Sequence, residues 1–317
     1  MATKRILGKS DLQVSPIAFG GNVLGWTLDQ QQSFRILDAF VGAGFNFIDT
    51  ADTYSMWVPG NQGGESETII GEWLKRRGKR NDVIIATKLG GDMGDGKRGL
   101  SAAYLPKAVD ASLKRLGTDY IDLYQSHYDD PDTPVDETME AFNALIQSGK
   151  VRYIGASNLS ADRIAQSNRF AADNGLQGYV SLQPLYNLYD RQKFETEYLP
   201  FIQADGLAVI PFYALASGFL SGKYRSEADF GKSPRGGGIK KYLNDRGFRI
   251  LEALDRISAE VDAPLAQIAL AWQLHKPGIT APIASATNEQ QLDDLVASAS
   301  LQLTAEQVAQ LDEASAY

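Results

Sequence analysis

Short apolar runs rich in Ile, Val and Phe alternate along the chain with longer amphipathic stretches. This alternation is typical of βα units around a parallel sheet, whose strands are buried on both faces. Eight runs are predicted as strands, the number that a closed barrel requires. They cover 17–20, 45–49, 83–88, 120–125, 151–156, 179–183, 207–211 and 280–283.

The amphipathic stretches between these runs predict helices at 30–43, 66–77, 101–116, 134–148, 160–173 and 189–204. Capping signals support several of them: Thr133 precedes Pro134, Ser160 precedes an amphipathic stretch, and Thr304-Ala-Glu-Gln resembles a capping box. Three or more further helices are expected from about residue 244 onward.

Ahead of the first barrel strand, residues 4–7 and 12–14 flank Gly8-Lys9-Ser10-Asp11, which predicts a hairpin that closes one end of the barrel. No linker or low-complexity segment interrupts the chain. The expected architecture is therefore an α/β fold, a (β/α)8 TIM barrel with an N-terminal β-hairpin and extra C-terminal helices, forming a single domain over 1–317.

Composition narrows the possible functions. The 317 residues carry 31 Lys and Arg against 39 Asp and Glu, and this net charge of −8 disfavours nucleic acid as a partner. The chain has no cysteine, which excludes disulfides, thiolate nucleophiles and cysteine metal sites. With only two histidines, His127 and His275, and no H-E-x-x-H spacing, no metal site is expected.

No segment is predicted to be a signal peptide or a membrane helix. The amino terminus has no apolar stretch of the necessary length, and the most apolar segment, 207–220, is short and contains Pro211 and Gly218. A cytoplasmic protein without a membrane partner is expected, and the absence of cysteine fits a reducing compartment.

The predicted strands end in polar residues at the edge where TIM barrels place their active sites. A carboxylate, an amine, an imidazole, and hydroxyl and amide groups follow successive runs, namely Asp49, Lys88, His127, Ser157, Asn158 and Gln183. Taken singly, each is more often a cap, a solvated strand end or a packing residue. Their occurrence together at the ends of neighbouring strands favours a catalytic interpretation.

These residue types match the chemistry of carbonyl reduction, which needs a hydride donor over the carbon and a proton donor at the oxygen. Tyr54, five residues after Asp49, is the candidate general acid. A cationic Lys88 nearby is expected to lower the tyrosine pKa from its usual value near 10, and Asp49 is expected to hold Lys88 charged. His127 is expected to orient the carbonyl oxygen and stabilise its developing negative charge.

Four motifs resemble the aldo-keto reductase family: Phe-Asn-Phe-Ile-Asp-Thr-Ala-Asp-Thr-Tyr (45–54), Ile-Ala-Thr-Lys (85–88), Leu-Tyr-Gln-Ser-His (123–127) and Gly-Ala-Ser-Asn (155–158). The similarity covers nearly the whole chain. It implies a catalytic tetrad at Asp49, Tyr54, Lys88 and His127, with the tyrosine as general acid. It also implies that Ser157, Asn158 and Gln183 bind the nicotinamide carboxamide and that Phe212 stacks on the nicotinamide ring.

The same resemblance implies further cofactor contacts. They are Gly21 and Asn22 in the first βα loop, Tyr213, Leu215, Ser217, Gly218 and Lys223 along the pyrophosphate, and Ser285, Thr287, Gln291 and Asp294 at the adenosine phosphate. Many members that prefer NADPH carry Lys or Arg where Ser285 and Gln291 stand, and Leu295 replaces a common Asn. These departures count against a preference for the 2′-phosphate. NADP is nevertheless expected, because it is the family's usual cofactor, and NAD is left open.

Aromatic residues near the strand ends are candidates for a pocket that takes a small carbonyl substrate together with Tyr54 and His127. They are Trp26, Trp57 and Tyr128, with Tyr186 and Tyr224 as further possibilities. The glycine-rich segment 222–247 carries seven basic residues and is either a mobile lid over the cofactor diphosphate or a solvated loop. The motifs leave the substrate and the oligomeric state open.

Other signals are weaker. Gly94-Asp-Gly-Lys-Arg-Gly99 matches G-x-G-x-x-G, but its first glycine lies six residues beyond Lys88, so a chance match in a βα loop is preferred. The neighbouring Asp129 and Asp130 precede Pro131 and indicate a turn rather than a glycosidase pair. Two alternatives remain beside a reductase: a cofactor-binding regulatory subunit of a channel, which shares the fold, and a barrel hydrolase.

Overall fold

The structure, a computed structural model, describes residues 3–317. Eight parallel strands form one sheet in the order β10-β3-β4-β5-β6-β7-β8-β9. Their bounds are β3 Ala18–Gly20, β4 Phe47–Asp49, β5 Ile84–Leu89, β6 Ile121–Ser126, β7 Val151–Ser157, β8 Ser181–Gln183, β9 Ala208–Val209 and β10 Ile283–Ala284. All eight strands lie within or next to the predicted runs.

Contacts between the last strands of the sheet close the ring. Val209 and Ile279 form a parallel bridge, and the backbone N–H of Ile283 donates to the carbonyl of Pro211 at 2.8 Å. On its other side β10 pairs with β3. The (β/α)8 TIM barrel predicted from the sequence is therefore confirmed, although β9 and β10 have only two residues each.

Within the described residues, helices α1–α10 pack against the sheet and against one another. They are α1 Gln30–Gly42, α2 Glu65–Arg77, α3 Leu105–Leu116, α4 Val135–Gln147, α5 Ala161–Asp173, α6 Leu199–Asp205, α7 Asp245–Val261, α8 Leu265–Leu274, α9 Glu289–Ser298 and α10 Ala305–Ala314. Short helical turns cover 21–23, 216–221, 227–232, 236–238 and 240–242, and a π-helix covers Phe194–Tyr198. None of the helices in the described range is long and apolar enough to cross a membrane.

Several predicted boundaries were wrong by a turn or more. The helix predicted from 101 begins at Leu105, because Ser101 opens a separate turn, and the one predicted over 189–204 is a π-helix followed by α6. Thr133 does not cap α4, since its hydroxyl donates to Asp130. Ser160 and Thr304 cap α5 and α10 as predicted.

The predicted hairpin is confirmed and closes the amino-terminal end of the barrel. Strands β1 (Arg5–Ile6) and β2 (Gln13–Val14) pair antiparallel. Their flanking residues Leu7 and Leu12 are buried with inward-pointing barrel residues such as Phe47 and Leu123, so this end holds an apolar core. The opposite, carboxyl-terminal end is therefore the one left for polar chemistry.

Candidate active site

The alternation of side chains along each strand places the polar strand-end residues inside the barrel. Phe47 and Ile84 belong to the inner core, and side chains alternate along a strand, so Asp49 and Lys88 point inward too. Both are buried, with 1% and 0% of their surface exposed. Register places Asp49 beside Ala86 and Lys88 beside Gln125, which brings the two charges together at the carboxyl end of neighbouring strands.

The Lys88 ammonium has an acceptor for each of its three protons. It donates to Asp49 Oδ2 at 2.7 Å, to the carbonyl of Thr50 at 2.8 Å and to Tyr54 Oη at 2.8 Å. Burial lowers the pKa of Lys88, and Asp49 acts against this by favouring the charged form. This arrangement aims an N–H group at the tyrosine oxygen.

Tyr54 presents its hydroxyl to Lys88 and, at 3.4 Å, to Asp49 Oδ2. Burial raises the pKa of Tyr54 well above its usual value of 10, and the negative charge of Asp49 raises it further. The expectation that the pKa of Tyr54 is lowered was therefore wrong in direction. Burial of the phenol and the negative charge of Asp49 determine the shift, although the Lys88 cation lies nearby. The phenol stays protonated at neutral pH, as a proton donor must.

His127 follows β6 and borders the same space, with its ring 6.1 Å from that of Tyr54. Burial lowers the pKa of His127 well below 6.5, and the charge of Lys88 lowers it further, so the imidazole is neutral. Nδ1 is buried without a hydrogen-bond partner in the described chain. A proton on Nε2 leaves only a lone pair buried there, which costs less than an orphaned N–H group and makes Nε2 a donor.

Amide groups from neighbouring strands hydrogen-bond to Asp49. Gln183 Nε2 donates to Asp49 Oδ1 at 2.9 Å, and Gln125 Nε2 reaches the same oxygen at 3.3 Å. Sequence reasoning missed Gln125, although its position two residues after the inward-pointing Leu123 would have placed it in the barrel. Ser157 donates to the Gln183 carbonyl at 2.9 Å, and Asn158 donates to the His127 carbonyl at 2.9 Å.

The loop that carries Tyr54 is anchored on both sides. The residue after it, Ser55, has a φ of 72° and donates its hydroxyl to the Leu24 carbonyl at 2.7 Å. Asn61 Nδ2 links the carbonyls of Gly25 and Ser55. Left-handed backbone at a non-glycine residue costs about 1–3 kcal/mol and persists only where neighbours enforce it. These contacts direct Tyr54 toward Lys88.

A cavity of about 1280 Å³ opens over Tyr54 and His127. Most of the predicted site residues line it, namely Asn22, Trp26, Tyr54, Trp57, His127, Tyr128, Ser157, Asn158, Gln183, Phe212, Tyr213, Leu215, Ser217, Gly218, Lys223, Ser285, Thr287, Gln291 and Asp294. Asp49 and Lys88 lie just beneath its floor, in contact with Tyr54. Gly21 lies outside its walls, packed so that a side chain would meet the Asp49 carbonyl.

One wall of the cavity is a segment with unusual backbone geometry. Tyr213, Ala216 and Ser217 have φ values of 52°, 48° and 57°, and Gly218 follows at 94°. Positive φ values in succession mark a strained backbone, and the backbone N–H groups of Ala216 and Gly218 donate within the segment, to the carbonyls of Tyr213 and Leu215. Such strain clusters at ligand sites, and the resemblance had indicated this segment for a pyrophosphate.

The far end of the cavity lies at the amino terminus of α9. Asn288 caps this helix by accepting from the backbone N–H of Gln291 at 2.9 Å, and Gln291 in turn accepts from Thr287. Ser285 donates to the Gly20 carbonyl at 2.7 Å, which links β10 to β3. A helix amino terminus attracts anions, but Ser285 and Gln291 supply no positive charge here.

Two basic residues of segment 222–247 line the cavity without a carboxylate partner among the described residues, whereas Arg246 donates to backbone carbonyls away from it. Arg225, Lys232 and Lys240 are paired with carboxylates. Within residues 3–317, Lys223 and Arg235 form no such pair, and both line the cavity. The sequence had shown Arg235 only as one basic residue among seven, because charge spacing does not reveal which side chains of an irregular loop face inward.

Arg235 is held by neutral neighbours. Its guanidinium lies 5.3 Å from the centre of the Trp26 ring, and with the Asn22 amide oriented to satisfy both of its atoms, Asn22 Oδ1 accepts from Arg235 at 2.8 Å. Burial lowers the pKa of Arg235 without removing its charge. An orientated cation without a carboxylate is suited to an anionic ligand.

Aromatic side chains form the outer part of the cavity. Trp26 and Trp57 meet edge to face at 5.6 Å, and Tyr128 stacks on His127 at 4.6 Å. Tyr186 and Tyr224, also considered for the pocket, are buried core residues and do not line it. The described residues contain no group of three or more His, Asp or Glu side chains arranged for a metal ion.

Comparisons with known proteins identify a matching family and several relatives. A family model described as the Aldo/keto reductase family matches residues 16–316. A protein of Bacillus subtilis named "Uncharacterized oxidoreductase YrpG" is 36% identical, with 95% of this chain and 92% of that protein covered. A rice protein named "Probable voltage-gated potassium channel subunit beta" is 35% identical, covering 90% and 88%. "Norsolorinic acid reductase" of Aspergillus flavus is 33% identical, covering 99% and 81%.

Proposed function

Because this chain belongs to the aldo/keto reductase family, we propose that it reduces aldehydes or ketones to alcohols with NADPH and uses Tyr54 as the general acid. The observation that carries the proposal is the hydrogen-bonded triad of Asp49, Lys88 and Tyr54, in which Asp49 and Lys88 are buried and Tyr54 lines a cavity of about 1280 Å³. Family membership supports oxidoreductase chemistry in general, and the roles of the residues below are part of the proposal.

The reacting end of the cavity fits a carbonyl. A reduced nicotinamide, when bound, supplies the hydride to the carbonyl carbon. Tyr54 donates its proton to the oxygen, and Lys88 stabilises the phenolate that remains by donating to Oη. Neutral His127 presents an N–H group that holds the carbonyl oxygen near Tyr54. Asp49 keeps Lys88 charged and pointed at the tyrosine.

The residues present also fit a dinucleotide. Ser157, Asn158 and Gln183 offer amide and hydroxyl groups for the carboxamide, and Phe212 offers a ring face at the cavity wall. Lys223, which lines the cavity together with residues of segment 213–218, would hold the diphosphate, since a cation is a partner that phosphates favour. The amino terminus of α9 would receive the adenosine phosphate.

Arg235 is assigned to the cofactor phosphates as well, and Arg235→Ala tests this assignment. Loss of a charged hydrogen bond of about 1.5–3 kcal/mol should weaken NADPH binding roughly 10- to 100-fold. The dissociation constant is measured by fluorescence titration with NADPH and NADH separately. A larger loss for NADPH assigns Arg235 to the 2′-phosphate, and an equal loss assigns it to the diphosphate.

The matched control for this titration is Arg225→Ala. Arg225 lies on the same segment but is paired with Asp255 at 2.8 Å and is exposed, so its loss should leave both dissociation constants nearly unchanged. Equal effects of the two substitutions would remove the special role of Arg235. Unchanged NADPH affinity in Arg235→Ala would have the same consequence.

A second candidate is a cofactor-binding regulatory subunit, which the relatives named as potassium channel subunits favour. Turnover separates the two functions. A panel of aldehydes, ketones and sugars is assayed by loss of reduced-nicotinamide absorbance with each dinucleotide. Steady turnover of at least one carbonyl class supports the reductase, while binding of dinucleotide without turnover of any substrate supports the regulatory subunit. The cysteine-free composition leads us to propose the cytoplasm as the compartment.

A further inference from the structure

A second group of charges lies behind Lys88, on the outer side of β5. Glu67 of α2 is fully buried and accepts from Thr87 Oγ1 at 2.6 Å and from Arg115 Nε at 2.6 Å. Asp52 is 3% exposed and lies in the loop between Asp49 and Tyr54. Its backbone N–H donates to the Lys88 carbonyl at 3.1 Å, so the cluster is directly hydrogen-bonded to β5, the strand that carries Lys88.

The charges of this cluster do not balance. Glu67 takes the single ion pair that Arg115 forms within residues 3–317, and Asp52 Oδ1 is buried there without a hydrogen-bond partner. A buried carboxylate without a counter-ion is strongly disfavoured, so the neutral acid is the stable form. Burial, followed by the charge of Glu67, raises the pKa of Asp52 to about 8, and Arg115 and Lys88 oppose this only in part.

The groups that face Asp52 come from every neighbouring element. They are Glu67 of α2, Arg115 of α3, Lys88 of β5, Tyr124 of β6 and Tyr104 just before α3. Among them only Lys88 touches the proposed proton donor. Negative charge on Asp52 raises the pKa of Lys88, against the lowering caused by burial.

We propose that Asp52, Glu67 and Arg115 share one proton, held on Asp52 at neutral pH, and that its loss in alkaline solution adds a negative charge that keeps Lys88 protonated. Asp52 is thus a positioning residue that acts through Lys88 and extends activity to higher pH. This role rests on the proposed reductase function. This effect requires the second carboxylate, because a single carboxylate paired with Arg115 would leave the cluster without net charge at alkaline pH.

Two different substitutions each leave Arg115 with a single carboxylate as its partner. In D52N the pair of Glu67 and Arg115 remains, and in E67Q the arginine is free to pair with Asp52. Each should move the alkaline descending limb of kcat/KM to lower pH by about half to one unit, and by similar amounts. D122N is the matched control, since Asp122 is equally buried but lies at the start of β6, paired with Arg80 and Arg152.

An infrared measurement tests the proton without catalysis. The C=O stretch of a protonated carboxyl is recorded at about pH 6 and about pH 10 for the wild-type protein, E67Q and D52N. The proposal expects this band in wild type at the lower pH, its loss at the higher pH and its absence in D52N. A wild-type spectrum without the band overturns the shared proton whether or not the chain turns over a carbonyl.

Thermal stability gives a third readout, with a definite sign. A carboxyl whose folded pKa lies above its unfolded value of about 4 loses stability as pH rises from about 4 to about 8. The melting temperature of D52N relative to wild type should therefore rise across this window and level off above it. A constant difference across the window, or a descending limb in D52N that coincides with wild type, contradicts the proposal.

Discussion

Replacing Tyr54 by phenylalanine is expected to reduce kcat by about 10²- to 10⁴-fold while leaving dinucleotide affinity nearly unchanged. The substitution removes one hydroxyl, the proposed proton donor, which accepts from Lys88 at 2.8 Å. Its ring contacts Trp57 and His127 at the cavity, and phenylalanine preserves that shape. The loss should therefore fall on the chemical step and not on binding.

The measurement is single-turnover reduction of the best carbonyl from the substrate panel, together with a fluorescence titration of the cofactor. Tyr120→Phe serves as a control. The Tyr120 hydroxyl donates a hydrogen bond to Asn81 at the opposite end of the barrel, so this variant should retain wild-type turnover. If Tyr54→Phe turned over at the wild-type rate, another group would have to be the acid. A parallel loss of cofactor affinity would indicate a disturbed cavity instead.

Lys88→Met should also collapse the rate, by about 10²- to 10³-fold, and in addition destabilise the fold. The substitution removes the charge that is proposed to stabilise the Tyr54 phenolate, and it leaves Asp49 buried without its partner. Breaking a buried ion pair by deleting one member costs about 3–5 kcal/mol in the free energy of unfolding. Gln183 and Gln125 still donate to Asp49 and offset a part of this cost.

A double variant separates the two effects of Lys88→Met. Adding Asp49→Asn removes the stranded charge, so the free energy of unfolding, measured with denaturant at pH 7, should recover in part. Activity should remain at the level of the single variant, because the ammonium is still missing. A pH–rate profile of Lys88→Met identical to that of wild type would eliminate the lysine from the mechanism.

The barrel was predictable from short-range patterns. Alternation of apolar runs with amphipathic stretches located all eight strands, since the strands are buried on both faces, apart from Arg152 and Tyr153 in β7. Boundaries were less accurate where capping depends on tertiary partners. Thr133 has the sequence of a helix cap, yet Asp130 captures its hydroxyl, and Ser101 is separated from α3 by an extra turn.

The side chains that complete the site depend on the folded chain. Arg235 and Asp52 lie in irregular loops, for which no periodicity states the direction of a side chain. The pKa of Tyr54 was predicted with the wrong direction because a neighbouring cation can be inferred from a motif, whereas burial of the hydroxyl cannot. Tyr186 and Tyr224 were considered for the pocket but are buried in the core, because the sequence does not state which aromatic side chains face the cavity.

By itself, the order of residues determined the fold class, the family resemblance and the strand ends at which Asp49, Lys88 and His127 appear, since periodicity and local motifs are encoded over a few neighbours. Only the tertiary structure decided the charge balance: which cations lack a carboxylate, and which buried carboxylate lacks a cation. Electrostatic energies depend on distance in space and on exclusion of water, and barrel closure sets both between residues that are far apart in the chain.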